Sequence, residues 1–218
     1  MQTAQLTLWG GATARTLRAH WMLHELGLDY QPRLIGSRTG ETQKEEFLAL
    51  NPKGKIPVLV DGELVLSESV AIVTYLGDRY DSRPGHDRLV PEPVSNARAR
   101  LDEWLSFIQM ELDAHTLYVI RRHRDLAMLY GEAPVAVREA EQGFLRQLRA
   151  ATGLLEQQPY LLGENFSAAD LVLTTCLDWA CSYRFELPDF LENYRHKIRQ
   201  RPAFRSAAEL NFSISAGA

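Results

Sequence analysis

The chain has 218 residues, 45% hydrophobic and 24% charged, with a formal net charge of -4 at pH 7. That balance excludes global disorder and argues against nucleic acid or an anionic membrane as the main partner. No apolar run approaches the roughly 18 residues of a membrane-spanning helix. The opening Met1-Gln2-Thr3-Ala4-Gln5 has neither a basic nor an apolar export segment. The two cysteines, Cys176 and Cys181, make no disulfide framework, so the expectation is a cytoplasmic protein with free thiols.

In chain order, Leu6-Thr7-Leu8 alternates as a strand does, and Gly10-Gly11 breaks it. Ala19, Met22, Leu23 and Leu26 then mark one face of a helix that stops at Gly27. A second strand is expected around Gln31 to Ile35, with Pro32 placing it at a sheet edge. A short helix from Lys44 to Leu50 ends before Asn51-Pro52. Val58-Leu59-Val60 and Leu64-Val65-Leu66 flank Asp61-Gly62, a hairpin signal. Ser67 is expected to cap a helix running to Tyr80, with Glu68 beside its positive end.

From Asp81 to Pro93, three prolines and a glycine among charges read as a linker. The expected organisation is a first domain over 1–82, a linker over 83–93 and a helical domain over 94–218. In the last, helices are predicted near 94–123, 134–157, 168–182, 188–199 and 202–209. Ser167 opens the third, with Asp170 placed to reach back to it, and Phe166 and Leu171 stand at the hydrophobic-staple positions.

Three segments together resemble the glutathione S-transferase family over essentially the whole chain. They are Asn51 to Leu59 (NPKGKIPVL), Leu66 to Leu76 (LSESVAIVTYL), and the Ser167 to Asp170 helix start. The resemblance implies a thioredoxin-like α/β domain followed by an all-α helical bundle. It implies a homodimer that binds glutathione near the subunit interface as co-substrate, without a metal, and presents its thiolate to a small electrophile. Those would be the partners, with neither nucleic acid nor membrane among them.

Glutathione carries a carboxylate at each end and a thiol between them. A helix amino terminus offers unpaired amides and partial positive charge to one carboxylate. By the resemblance, Ser69 donates to the γ-glutamyl carboxylate and Glu68 helps hold its ammonium group. Ile56-Pro57 resembles the family's cis-proline turn, which would turn the Ile56 amide and carbonyl outward to the cysteinyl backbone as an added strand does. Lys55 would meet the glycyl carboxylate, with Lys53 and Lys44 as alternatives. Asp102 would reach the γ-glutamyl ammonium bound to the partner subunit.

The first βα turn, Leu8 to Leu17, is where the family places the group that activates the thiol. The tyrosine, serine or cysteine of several family classes is absent from it. Thr13 and Thr16 are the candidate catalytic residues, with Arg15 as a competitor. A donor to sulfur favours the nucleophilic thiolate, and a hydroxyl at Thr13 also suits a helix cap. Further on, Trp104, Ile108, His115, Tyr118 and Arg122 would line the acceptor pocket, with core packing as the alternative for the first four and a solvated face for the arginine.

His20 and His24 stand four apart without the glutamate or third ligand of a metal motif. Cys176 and Cys181 are expected to be buried small hydrophobes. Two other functional classes stay open: a glutathione-binding module without turnover, and a glutathione-dependent isomerase, dehalogenase or peroxidase on the same scaffold.

Overall fold

The computed structural model describes residues 6–83, 85 and 87–214; Met1 to Gln5 at the start, and Pro84 and His86 of the expected linker, lie outside the described residues. Two units are present. One runs as far as Val90 and takes in the chain from Lys197 on, and the other is Pro91–His196. The stretch expected as one helical domain over 94–218 is therefore divided.

In the first unit, β1 (Leu6–Trp9) leads to α1 (Ala14–Glu25), then β2 (Tyr30–Arg33), α2 (Glu45–Leu50), the hairpin β3 (Val58–Asp61) and β4 (Leu64–Ser67), and α3 (Ser69–Tyr80). The sheet order is β2-β1-β3-β4. β1 and β2 are parallel, and the other neighbours are antiparallel. This is a thioredoxin-like arrangement. β2 lies at the edge, which accommodates Pro32, since a missing amide donor there costs no ladder bond. Gly62, at φ 59, closes the β3–β4 hairpin, a left-handed position that glycine adopts without penalty.

The last helix, α10 (Pro202–Asn211), packs on α1. Phe204 meets Trp21 edge-on at 4.8 Å between ring centroids. Arg201 grips the Glu25 carboxylate through two bonds of 2.6 and 2.7 Å. Planar guanidinium and carboxylate match as a fork, which fixes direction as well as distance. These contacts are why the end of the chain groups with the first unit.

The second unit starts with α4 (Asn96–Phe107), capped by Ser95, whose Oγ accepts the Arg98 amide at 3.0 Å. The single helix expected over 94–123 is not uniform. Ile108–Leu117 and Arg121–Asp125 wind as π-helix, separated by the short α5 (Tyr118–Ile120) and followed by α6 (Ala127–Tyr130). Then come α7 (Pro134–Leu155), α8 (Ala168–Ser182) and α9 (Asp189–Arg199), within which the unit boundary falls. No helix among the described residues is long and apolar enough to cross a membrane.

The start of α8 anchors the second unit. Asp170 is fully buried, and its carboxylate accepts from the amides of Leu161 (2.8 Å) and Ser167 (2.9 Å) and the hydroxyls of Ser167 (2.8 Å) and Tyr194 (2.7 Å). Burial pushes its pKa up, and the four donors oppose that shift. Phe166 and Leu171 are both buried, as staple residues should be. Cys176 is buried on α8, while Cys181 is only half-buried, its Sγ 3.9 Å from Glu192.

Candidate functional site

Strand register builds one end of the sheet into a site. Arg33, Trp9, Val58 and Ser67 are matched in one row across the four strands. The residues just beyond that row are Gly10 after β1, Pro57 before β3 and Glu68 after β4. Three of the segments singled out in the sequence thus emerge side by side within a single unit.

At the first, Thr13 caps α1 with an extended backbone (φ -132, ψ 157). Its Oγ1 accepts the Thr16 amide at 3.0 Å, and Thr16 Oγ1 accepts the Thr13 amide at 3.1 Å. Thr13 is half-buried, whereas Thr16 is fully buried and its hydroxyl donates to Asn211 Oδ1 (2.7 Å) or the Thr13 carbonyl (2.9 Å). Thr16 therefore has neither access nor a spare proton for a ligand. Of the two candidate threonines, only Thr13 can serve.

The loop before α1 is tightly packed. A Cβ on Gly10 would come within 2.8 Å of Ile56 Cβ and 2.7 Å of Thr16 Cγ2, so only glycine lets this loop lie against the Ile56–Pro57 turn. The Gly10 carbonyl accepts from His20 Nε2 at 3.0 Å. His20 Nδ1 then accepts from the Tyr30 hydroxyl (2.7 Å), and Tyr30 in turn accepts from His24 Nε2 (3.2 Å). Burial lowers the His20 pKa to about 4. The histidine pair thus forms a neutral hydrogen-bonded chain under the loop.

At the second segment the Ile56–Pro57 bond is cis, as the resemblance implied. Asn51 Nδ2 donates to the Lys55 carbonyl at 2.8 Å, fixing the backbone just before the turn. Lys55 itself is exposed. The neighbouring Lys53, named only as an alternative, reaches the third segment: its Nζ donates to Ser67 Oγ at 2.9 Å and pairs with Glu68 Oε1 at 3.2 Å.

At the third segment, Ser67 does not cap α3. It pairs with Val58 in the sheet and is held extended. The N-cap is Glu68, at φ 77 and ψ 115, and its side chain makes no cap bond. A non-glycine residue there costs on the order of 1–3 kcal/mol, and such strain gathers at binding and catalytic sites. The sharp turn leaves the Glu68 carboxylate more than half exposed and makes Ser69 the first residue of the helix, 5% exposed. Behind it lies Arg18, 1% exposed, with Nη1 3.4 Å from Ser69 Oγ. An arginine only donates, so the serine proton can point away from it. First-turn amides, a buried guanidinium and a serine hydroxyl with its proton to give together suit a carboxylate. Neither Arg18 nor Lys53 carried a distinguishing local signal; only the α1–α3 packing and the β3–β4 register reveal them.

The five residues expected to wall an acceptor pocket differ widely in exposure. Trp104 lies with Phe107, Leu154 and Leu161 in an open cavity of about 620 Å³, with the Arg100–Glu103 ion pair also lining it. Ile108 is a core residue with no exposure. The His115 side chain is 61% exposed, 3.9 Å from Glu111. Tyr118 is half-buried, and Arg122 is exposed, its guanidinium 4.5 Å above the Tyr130 ring. Their spacing follows an α-helical face, whereas Ile108–Leu117 winds as π-helix, where each residue turns through a smaller angle. Asp102 is held by Arg98 at 3.0 Å.

A thioredoxin-like unit carrying a glycine-tight loop, a cis-proline turn and an anion-accepting helix start, in one chain with a helical unit, defines the glutathione S-transferase class of fold. Residues 4–78 match the family model for the glutathione S-transferase N-terminal domain, and 107–199 that for its C-terminal domain. Glutathione S-transferase 3 of Zea mays is 34% identical over 170 residues, covering 77% of this chain and 74% of that protein. Glutathione S-transferase GstA of Escherichia coli is 27% identical over 201 residues, covering 89% and 92%. A theta class glutathione S-transferase from Xanthomonas axonopodis pv. citri, solved with glutathione bound, superposes with a TM-score of 0.76 at 26% identity, covering 98% of this chain and all of that one. The chain belongs to the glutathione S-transferase family.

Proposed function

We propose that this protein is a glutathione transferase that holds glutathione across the end of the sheet and presents its thiolate to a small electrophile. The γ-glutamyl carboxylate sits at Ser69 and the first amides of α3, with its ammonium at Glu68. The cysteinyl backbone pairs with Ile56 beside Pro57, and Lys55 or Lys53 meets the glycyl carboxylate. Thr13, the accessible hydroxyl of the first βα turn, donates to the sulfur. The single observation that carries the reading is the row Trp9–Val58–Ser67, which brings Thr13's loop, the proline turn and the strained Glu68 to one edge. A free thiol has a pKa near 8.5, so lowering it by about two units leaves most of the bound thiol ionised at neutral pH, for about 2.7 kcal/mol of differential interaction.

The protein works as a cytoplasmic homodimer, with Asp102 directed at the partner's ligand. Light scattering at micromolar concentration should give twice the chain mass. The function is tested by a glutathione titration followed by a turnover screen across aryl halides, epoxides, enones and organic peroxides. Thioether formation with at least one class is expected. Saturable glutathione binding without any turnover would make the protein a binding module instead.

A further inference from the structure

Asn211, the last residue of α10, is fully buried against the loop that carries Thr13. Three bonds hold it there. Its carbonyl accepts the Ala12 amide at 2.6 Å, its Nδ2 donates to the Thr13 carbonyl at 3.2 Å, and its Oδ1 accepts from Thr16 Oγ1 at 2.7 Å. Close by, the Ile214 side chain covers Gly11, where an added Cβ would lie 3.0 Å from Ile214 Cδ1. Ala12 is bent to φ 59 between these contacts.

The bonds have a fixed direction. A carbonyl only accepts, so the amide nitrogen of Asn211 must face Thr13 and its Oδ1 must face Thr16. Thr16 has one hydroxyl proton, and its acceptors are Asn211 Oδ1 and, at 2.9 Å, the Thr13 carbonyl. The two threonine oxygens are 2.9 Å apart and either could donate; with the Thr16 proton on Asn211 Oδ1, its shortest acceptor at 2.7 Å, the donor between them is Thr13. Thr13 Oγ1 already accepts the Thr16 amide. It therefore keeps its own proton to give. Thr13 is also the half-exposed member of the pair, so rotating that one proton from Thr16 to a thiolate breaks one hydrogen bond and forms a charge-assisted one.

We propose that Asn211 is a positioning residue: it sets the polarity of the Thr13–Thr16 hydroxyl pair so that Thr13 is the donor to the sulfur of bound glutathione. The inference rests on the glutathione reading above. The thiol's own proton leaves to solvent. Without Asn211, the Thr16 proton is shared between the Thr13 carbonyl and Thr13 Oγ1, so Thr13 is no longer fixed as the donor, and the Thr13 carbonyl loses the amide donor that anchors the turn.

The test is the ultraviolet thiolate absorbance of bound glutathione against pH, for wild type, Asn211→Ala and the near-isosteric Asn211→Leu, neither of which can accept the Thr16 proton, beside calorimetry with S-methylglutathione. Both variants should raise the apparent thiol pKa, so that the thiolate fraction below the midpoint falls about three- to tenfold, roughly half to one pKa unit. Affinity for S-methylglutathione should stay within about twofold, since it needs no proton from Thr13. If one variant fails to fold, the other carries the test. An unchanged thiol pKa in a folded variant overturns the proposal. A parallel loss of S-methylglutathione affinity overturns it too, because Asn211 would then only shape the site. Wild type that binds no glutathione overturns the underlying reading and this inference together, whereas wild type that binds, with variants of unaltered pKa, overturns the inference alone.

Discussion

Two carboxylates, Glu68 in the first unit and Asp170 in the second, are held in opposite ways. Asp170 has no exposure and four hydrogen-bond donors around it. Glu68 is more than half exposed, sits on a left-handed backbone and has Lys53 as its ion-pair partner. A saturated buried acid ties segments together, since each donor would be orphaned without it. An exposed acid with one surface partner stabilises little and remains available to a ligand. The fold therefore spends its polar satisfaction at the start of α8 and its strain at the start of α3.

That contrast can be broken at Asp170 first. Asp170→Ala orphans donors from Leu161, Ser167 and Tyr194, and should cost about 3–5 kcal/mol of stability. Chemical denaturation followed by circular dichroism reads it. A loss under about 1 kcal/mol would mean that those donors find other partners.

The next largest effect is a pH dependence from under the Thr13 loop. His20 is held at a pKa of about 4 against an ordinary 6.5. The folded protein keeps it neutral while the unfolded chain takes up a proton below pH 6.5. Its contribution is thus fully present above the unfolded value and is lost as pH falls through the folded one. The loss should reach about 3 kcal/mol. The urea midpoint should fall over this window, and His20→Gln should flatten that fall. An equal fall in the variant would assign it to other groups, of which His24, also lowered by burial, is the nearest.

The smallest effect belongs to the exposed pair. Lys53→Ala should change stability by less than about 1 kcal/mol. A larger loss in the same denaturation assay would mean that the Glu68 turn depends on Lys53 for its shape.

The sequence makes local features legible and leaves distant ones hidden. Asp61-Gly62 announces the β3–β4 hairpin, and Ser167 with Asp170 announces the start of α8, because these signals lie within a few residues of what they shape. The turn at Glu68 is misread by one residue: Ser67 looks like a cap, but pairing with Val58 keeps it in the strand. The π-helical turns after Phe107 carry no composition signal, so an α-helical spacing groups Ile108 with His115 although the first is fully buried and the second exposed. Asn211 lies 195 residues from Thr16, and Tyr30 links two histidines from another element. Only the packing of α10 on α1 and the pairing of β2 with β1 bring those groups together.

The central claim is that glutathione binds at the edge where β4 gives way to α3. Isothermal titration of glutathione into wild type, Ser69→Ala and Glu68→Gln tests it most directly. The account predicts one saturable site per chain, weakened by about 1–3 kcal/mol in Ser69→Ala and weakened also in Glu68→Gln, with the thermal midpoints of both close to wild type. Equal affinity in wild type and both folded variants would contradict it and make the start of α3 only the beginning of a helix.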